Sequence, residues 1–156
     1  MVMNESFLLG VVMERRLLDN RWQSEQWAPV GVVLEAGEPA PPQLLYRDAA
    51  CERWLHAGFE VRLYPDEAEG YFLNCTTPQP VLFVGWRPED AAMRPWLVTA
   101  SYNEASRALD AGEQVEGVPM PDEILQGVSG FVQRHYKPGP KKRSKPPSFQ
   151  GARRDA

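Results

Sequence analysis

Cys51 and His56 form a pair of side chains whose types and spacing could support covalent catalysis. A cysteine beside a histidine base can act as a nucleophile when a third group orients the base. The sequence around this pair offers no such group and no signature of a cysteine enzyme. A free cysteine is commonly a small buried hydrophobic residue. No G-x-S-x-G elbow occurs either, so the sequence predicts a protein that is not an enzyme.

The sequence gives little evidence for a metal site or a nucleotide site. A hard cation could be bound by the carboxylates of Asp66, Glu67 and Glu69, but these residues lack the spacing of an EF-hand. They lie between Pro65 and Gly70, which favours a solvated turn. The two cysteines and two histidines share no zinc-ligand spacing. Neither glycine loop typical of nucleotide sites is present. We therefore predict no metal and no cofactor.

The strongest binding signal is the segment 14–27, which concentrates arginine and tryptophan between two apolar stretches. These two residue types dominate the hot spots of protein interfaces. In the alternative interpretation, Trp22 and Trp27 cover the end of a barrel, while Arg15 and Arg16 pair with local carboxylates. We predict a partner-binding surface formed by Arg15, Arg16, Asp19, Asn20, Trp22, Gln23 and Trp27.

Charge divides the chain into an acidic body and a basic tail. Residues 1–136 carry a net charge of −10 and residues 137–156 a net charge of +6. The basic run could neutralise nucleic-acid phosphates, although no base-reading motif accompanies it and the body is acidic. A basic cluster followed by one aromatic residue is also typical of a short linear motif. We predict tail interactions through Lys141, Lys142, Arg143, Lys145 and Phe149.

Short apolar stretches separated by turn residues indicate β-strands over the first hundred positions. Residues 7–13 and 30–34 are predicted to pair, and 44–46 to form a brief third strand. Phe59, Val61 and Leu63 alternate with polar residues, as in a strand with one wet face. Further strands are predicted at 71–75, 81–86 and 96–99. Their short connections favour antiparallel neighbours.

Two helices are predicted to follow the strands. Ser101 and Glu104 fit a capping box at the start of the first, which Gly112 is suited to end. The second begins near Pro121 and has an apolar stripe that includes His135, predicted to be a core or boundary residue. Gly127 and Gly130 lie off this stripe, either as neutral substitutions or because another surface packs closely there.

These elements predict an α+β fold. Residues 1–136 form a single domain in which a mostly antiparallel, barrel-like or sandwich sheet spans residues 6–100 and two C-terminal helices follow. Residues 137–156 form a flexible, disordered basic tail, because proline and like charges leave little apolar surface to bury. We expect a cytoplasmic protein without membrane insertion, since the first residues lack the charge order of a secretory signal and no apolar run is long enough to span a bilayer.

Several motifs resemble those of an uncharacterised bacterial domain family, DUF family 3305. They are GVVMERR at 10–16, DNRWQ at 19–23, WAPV at 27–30, EAEGYFLN at 67–74, WLVTAS at 96–101 and VPMP at 118–121, with Phe131-Val132. The resemblance spans nearly the whole chain. It implies a genomic setting beside molybdenum-dependent formate dehydrogenase subunits and their maturation proteins, and it supplies no catalytic residues.

The function expected from these features is that of a non-catalytic accessory or assembly protein. The resemblance implies that the partner is a redox-enzyme subunit, such as one of a molybdenum formate dehydrogenase, or its maturation machinery. The alternative is a nucleic-acid-binding protein that uses the basic C-terminal tail, with binding that weakens steeply as salt rises.

Overall fold

Four antiparallel strands from residues 6–62 form the first sheet. The computed structural model describes residues 5–138. The strands are β1 (Ser6–Leu17), β2 (Glu25–Leu34), β3 (Gln43–Arg47) and β4 (Cys51–Arg62), and their spatial order is β2-β1-β4-β3. The predicted pairing of the first two strands and the brief third strand are confirmed. The nearly unbroken apolar run of β1 fits its place inside the sheet.

The second sheet is assembled from later parts of the chain. It contains β5 (Val81–Glu89), β6 (Ala92–Thr99) and β7 (Gln114–Pro119), in the order β6-β5-β7. All of its pairings are antiparallel, as predicted. The strand β7 is not predicted from the sequence, because this segment has only two valines among polar residues, glycine and proline. Its strand conformation comes from pairing with β5, a tertiary contact that local patterning does not encode.

The predicted strand at residues 71–75 is wrong. These residues belong to a helix, α1 (Ala68–Cys75), which follows a single 3-10 turn at Pro65–Glu67. Ala68, Tyr71 and Asn74 are buried at three-residue spacing, which is the period of a helix. The apolar side chains beside them hide this period in the sequence, since a short apolar run fits either element.

The predicted turn between Pro65 and Gly70 is also corrected, because Gly70 lies inside α1. Glu67 at its start is not simply solvated. Its carboxylate accepts hydrogen bonds from Ser101 Oγ at 2.6 Å and Arg107 Nη2 at 2.7 Å. These two hydrogen bonds connect the 3-10 turn at Pro65–Glu67 to the next helix of the chain.

Ser101 caps that helix, α2 (Tyr102–Asp110), as predicted. Its hydroxyl oxygen accepts the Glu104 N–H at 3.0 Å. The reciprocal bond of a capping box is replaced, because the Thr99 hydroxyl accepts the Ser101 N–H at 3.0 Å. Gly112 beyond the helix has a φ of +91°, the left-handed conformation for which glycine is suited.

The last described helix, α3 (Asp122–His135), begins after Pro121 as predicted. Its buried residues are Ile124, Val128 and Phe131, which confirms the apolar stripe. His135 lies at the boundary of the core, with its ring centroid 4.2 Å from that of Phe131 and its Nε2 atom 4.0 Å from a Glu5 carboxylate oxygen.

One hydrophobic cluster joins both sheets to α1 and α3. It includes Leu9, Met13, Tyr71, Val84 and Phe131, all of them buried. The α+β class is confirmed, with two separate antiparallel sheets and three helices in the described residues. The two predicted C-terminal helices are present, and α1 is an additional helix between the sheets in sequence.

Gly127 and Gly130 of α3 provide a matched test of close packing. A Cβ atom at Gly127 would overlap the ring of Phe7, whereas one at Gly130 would meet only the flexible end of Arg134, at 3.4 Å. We expect Gly127→Ala to lower the free energy of unfolding by about 1 kcal/mol, because overlap outweighs the gain in helix propensity. Gly130→Ala should raise it by about 0.5–1 kcal/mol. Urea unfolding of both variants measures the difference, and equal effects would contradict it.

The predicted tail residues Lys141, Lys142, Arg143, Lys145 and Phe149 lie outside the described residues. Within residues 5–138, no helix has the length and apolar character needed to cross a membrane.

Candidate functional site

A cleft of about 450 Å³ lies between the inner face of the first sheet and the hairpin that joins β5 to β6. Alternation along β1 places Leu9, Val11 and Met13 in the core, and Arg15 is the next residue on the same face. The inner face of the sheet therefore continues past the hydrophobic core and becomes polar. This change from apolar to charged residues forms the floor of the cleft.

Arg15 occupies the middle of that floor. Its register partners are Trp27 on β2 and Glu52 on β4. Its Nε atom donates to Glu25 Oε1 at 2.5 Å, and its Nη1 atom lies 3.4 Å from Glu52 Oε2. The hydrogen bond to Glu25 raises the pKa of Arg15 above its ordinary value. Arg15 is thus a fixed cation held between two carboxylates.

Two Glu-x-Trp motifs flank Arg15 on either side. Trp27 Nε1 donates to Glu25 Oε2 at 3.0 Å, and Trp54 Nε1 donates to Glu52 Oε1 at 3.0 Å. Residues two apart share one face of a strand, so each glutamate lies beside the tryptophan that it anchors. These indole hydrogen bonds are the largest cause that lowers the pKa of each glutamate. Both carboxylates stay ionised and both indole rings have a fixed polar edge.

Arg94 on β6 and His56 on β4 form the other end of the cleft. The Arg94 Nε atom is buried and has no hydrogen-bond partner in the described part of the chain. Its nearest ion-pair partner is Glu89, whose Oε1 atom lies 3.9 Å away. Burial, followed by the charge of Arg94, lowers the pKa of His56 to about 4. His56 is therefore neutral at pH 7.

The sequence-predicted surface is split by the structure. Arg15 and Trp27 line the cleft. Arg16 lies on the opposite face of β1, where its Nη2 atom is 3.0 Å from Glu14 Oε1. Both arginines thus pair with local carboxylates, as the alternative interpretation expected. The remaining residues, Asp19, Asn20, Trp22 and Gln23, belong to the loop between β1 and β2.

Hydrogen bonds within this loop stabilise its conformation, and the loop exposes a tryptophan. Asn20 Oδ1 accepts the Trp22 N–H at 2.7 Å, and the Leu18 N–H donates to the Ser24 carbonyl at 3.0 Å. Trp22 is 83% exposed and does not cover a barrel end. The guanidinium carbon of Arg21 lies 5.3 Å from the centre of its ring. We call residues 19–23 the loop surface.

Cys51 and His56 do not form a catalytic pair. Their pairing with β1 is regular from Cys51 to His56, so their odd spacing places them on opposite faces of β4. His56 lines the cleft, whereas Cys51 is buried on the other side. Across residues 5–138, no group of three or more histidine, cysteine or acidic side chains is arranged to hold a metal ion.

Among the charged and aromatic residues of the cleft, the sequence does not single out Glu25, Glu52, Trp54 or Arg94, and it suggests His56 only as a base for Cys51. A signal for the first three was present, because Glu-x-Trp occurs at 25–27 and again at 52–54. Both occurrences lie on strands that pair with the strand of Arg15. Arg94 reaches the cleft only through the packing of β6 against β4, and no local pattern indicates this contact.

The amino-acid sequence matches a known protein family. A family described as a protein of unknown function, DUF3305, matches residues 8–145. No curated protein and no solved structure matches the chain. The matched range includes the loop surface and every residue named in the cleft. The chain belongs to the DUF3305 family.

Proposed function

We propose that this protein is a non-catalytic accessory protein that binds a partner protein in the cytoplasm through the loop surface. The observation that carries the proposal is Trp22, a large aromatic side chain that is 83% exposed on a loop with its own internal hydrogen bonds. Tryptophan in such a position buries a large area on binding at little cost in conformational entropy. A pre-shaped loop lowers that cost further.

The chemistry around Trp22 also supports protein binding. Arg21 adds directed donors beside the indole, and Asp19 adds a carboxylate on the same loop. Arg16 and Trp27 flank the base of the loop on the two faces of the sheet. Mixed charge around an aromatic centre is typical of a polar rim around an interface hot spot. By the family resemblance, the proposed partner is a subunit of a molybdenum-dependent formate dehydrogenase or a protein of its maturation machinery.

Co-purification from the source cells tests this proposal. Tagged wild-type protein is compared with Trp22→Ala, and bound proteins are identified and quantified by mass spectrometry. We expect the variant to lose affinity for the wild-type partner by about 30-fold or more, because hot-spot truncation costs about 2 kcal/mol or more. Trp22→Phe should retain part of the binding.

Tyr64→Ala is the matched control, since Tyr64 is 53% exposed and follows the end of β4 that pairs with the start of β1. It should bind like the wild type. Equal capture by Trp22→Ala and wild type would overturn the loop surface as the binding site. A version ending at Tyr136 separates the alternative function, because nucleic-acid capture that disappears with the tail and weakens by about 10³-fold or more between about 50 and 200 mM salt would favour it.

A further inference from the structure

We propose that the cleft between the first sheet and the β5–β6 hairpin binds a small organic monocarboxylate with an apolar or aromatic body. This inference does not depend on the partner-binding proposal, because it concerns Arg94 and the cleft walls instead of the loop surface.

Arg94 provides the recognition element for the carboxylate. Its Nε atom is buried without a hydrogen-bond partner in residues 5–138, and the Glu89 oxygen at 3.9 Å is too far away to accept one. A buried donor without an acceptor is costly. The Arg94 side chain lines the cleft and is 34% exposed, so a small rotation would let an acceptor in the cleft remove that cost. A carboxylate matches the planar donor set of a guanidinium, because its two oxygens can accept two parallel N–H donors. The other cation on the cleft floor, Arg15, is already held by Glu25 and Glu52.

The walls of the cleft select the body of the ligand. Trp27 and Trp54 line the cleft, and each is anchored through its indole N–H group, so both rings are held at fixed positions. Ala92 and Met93 of the hairpin add apolar surface. A volume of about 450 Å³ falls within the range of ligand pockets, which take a mostly buried molecule held by few polar groups.

The charges of the cleft limit the ligand to one negative charge. Glu25 and Glu52 stay ionised on the floor, and Glu89 lies beside Arg94. A phosphate or dicarboxylate would bring a second negative charge towards these groups. His56 is neutral beside Arg94, so it can donate a hydrogen bond to a carboxylate without adding charge.

The test is a comparison of acids with their neutral amides by calorimetry and ligand-observed NMR. The probes are benzoate, indole-3-acetate and 2-naphthoate, each paired with its amide, at about 150 mM salt to screen non-specific attraction. We expect at least one acid to bind about tenfold or more tightly than its amide. Arg94→Gln should abolish this preference, and Arg94→Lys should keep only part of it.

Two controls separate recognition from a general change in charge or folding. Arg62 forms a surface ion pair with Glu60, and Arg62→Gln should retain the preference for the acid. Trp54→Leu should weaken the acid and its amide by similar factors. The proposal is overturned if no acid in the panel binds better than its amide, or if Arg62→Gln loses the preference as fully as Arg94→Gln does. Circular dichroism establishes that each variant is folded.

One further comparison identifies the source of the carboxylate. N-acetyl-Gly-Gly-Phe with a free carboxyl terminus is measured beside 2-naphthoate. Tighter binding of the peptide assigns the cleft to a polypeptide carboxyl terminus and contradicts the small-molecule proposal. Tighter binding of the free aromatic acid supports it.

Discussion

Replacing Asn74 with leucine is expected to lower the free energy of unfolding by about 3–4 kcal/mol, the largest effect that we anticipate for one substitution. Asn74 is 2% exposed on α1. Its amide nitrogen donates to the carbonyls of Val81 at 2.7 Å and Ala100 at 2.9 Å, and its Oδ1 atom accepts the Val81 N–H at 3.1 Å. Leucine matches its size but leaves these three backbone groups without partners.

Urea unfolding followed by circular dichroism measures this loss. Asn103→Leu is the matched control, because Asn103 makes one exposed hydrogen bond to Glu69 at 3.3 Å. Its cost should stay below about 1 kcal/mol. Asn74→Asp distinguishes hydrogen bonding from size, since a carboxylate would face two carbonyl oxygens and should also be strongly destabilising. A loss below about 1 kcal/mol for Asn74→Leu would show that other groups or water satisfy these backbone atoms.

His56 is expected to make the protein about 2 kcal/mol less stable at pH 4 than at pH 7. Burial and the charge of Arg94 lower the pKa of His56 from 6.5 to about 4 in the folded protein. As the pH falls through 6.5, the unfolded chain binds a proton that the folded chain does not bind, so stability decreases down to about pH 4. The full shift would correspond to about 3 kcal/mol, and partial exposure of the ring reduces it.

Carboxylates also make the free energy of unfolding depend on pH, but they are the same in wild type and His56→Phe. The difference between the free energies of unfolding of these two proteins therefore reports the contribution of His56 alone. The stability of the variant should fall by about 2 kcal/mol less than that of wild type between pH 7 and pH 4. His135→Gln is the control, because it removes the only other histidine in the sequence. The decrease in its free energy of unfolding between pH 7 and pH 4 should still contain the contribution of His56. Parallel pH profiles for wild type and His56→Phe would contradict the low pKa of His56.

Local signals in the sequence predict most of the elements but not the cleft. The apolar run 7–13 and the Ser101 cap predict their elements correctly, because a continuous apolar segment and an N-cap act within a few residues. The run 71–75 misleads, because Tyr71 and Asn74 face the core while the residues between them are also apolar. The strand β7 and the position of Arg94 depend on distant partners, so no local pattern predicts them. Arg15 and Trp27 are recognised from residue type, although their role on the cleft floor follows from strand register.

Residues from both ends of the chain form the core, and this affects how the chain folds during its synthesis. The first sheet is complete in sequence at Arg62, yet the ring of Phe7 packs closely on Gly127 in α3, which ends at His135. At translation rates of ~5–20 residues per second, about 4–15 s separate the emergence of these two points from the ribosome. During that interval, Phe7 on the first sheet lacks the helix residue against which it packs. The nascent chain therefore exposes apolar side chains of this sheet until α3 has been synthesised and docks.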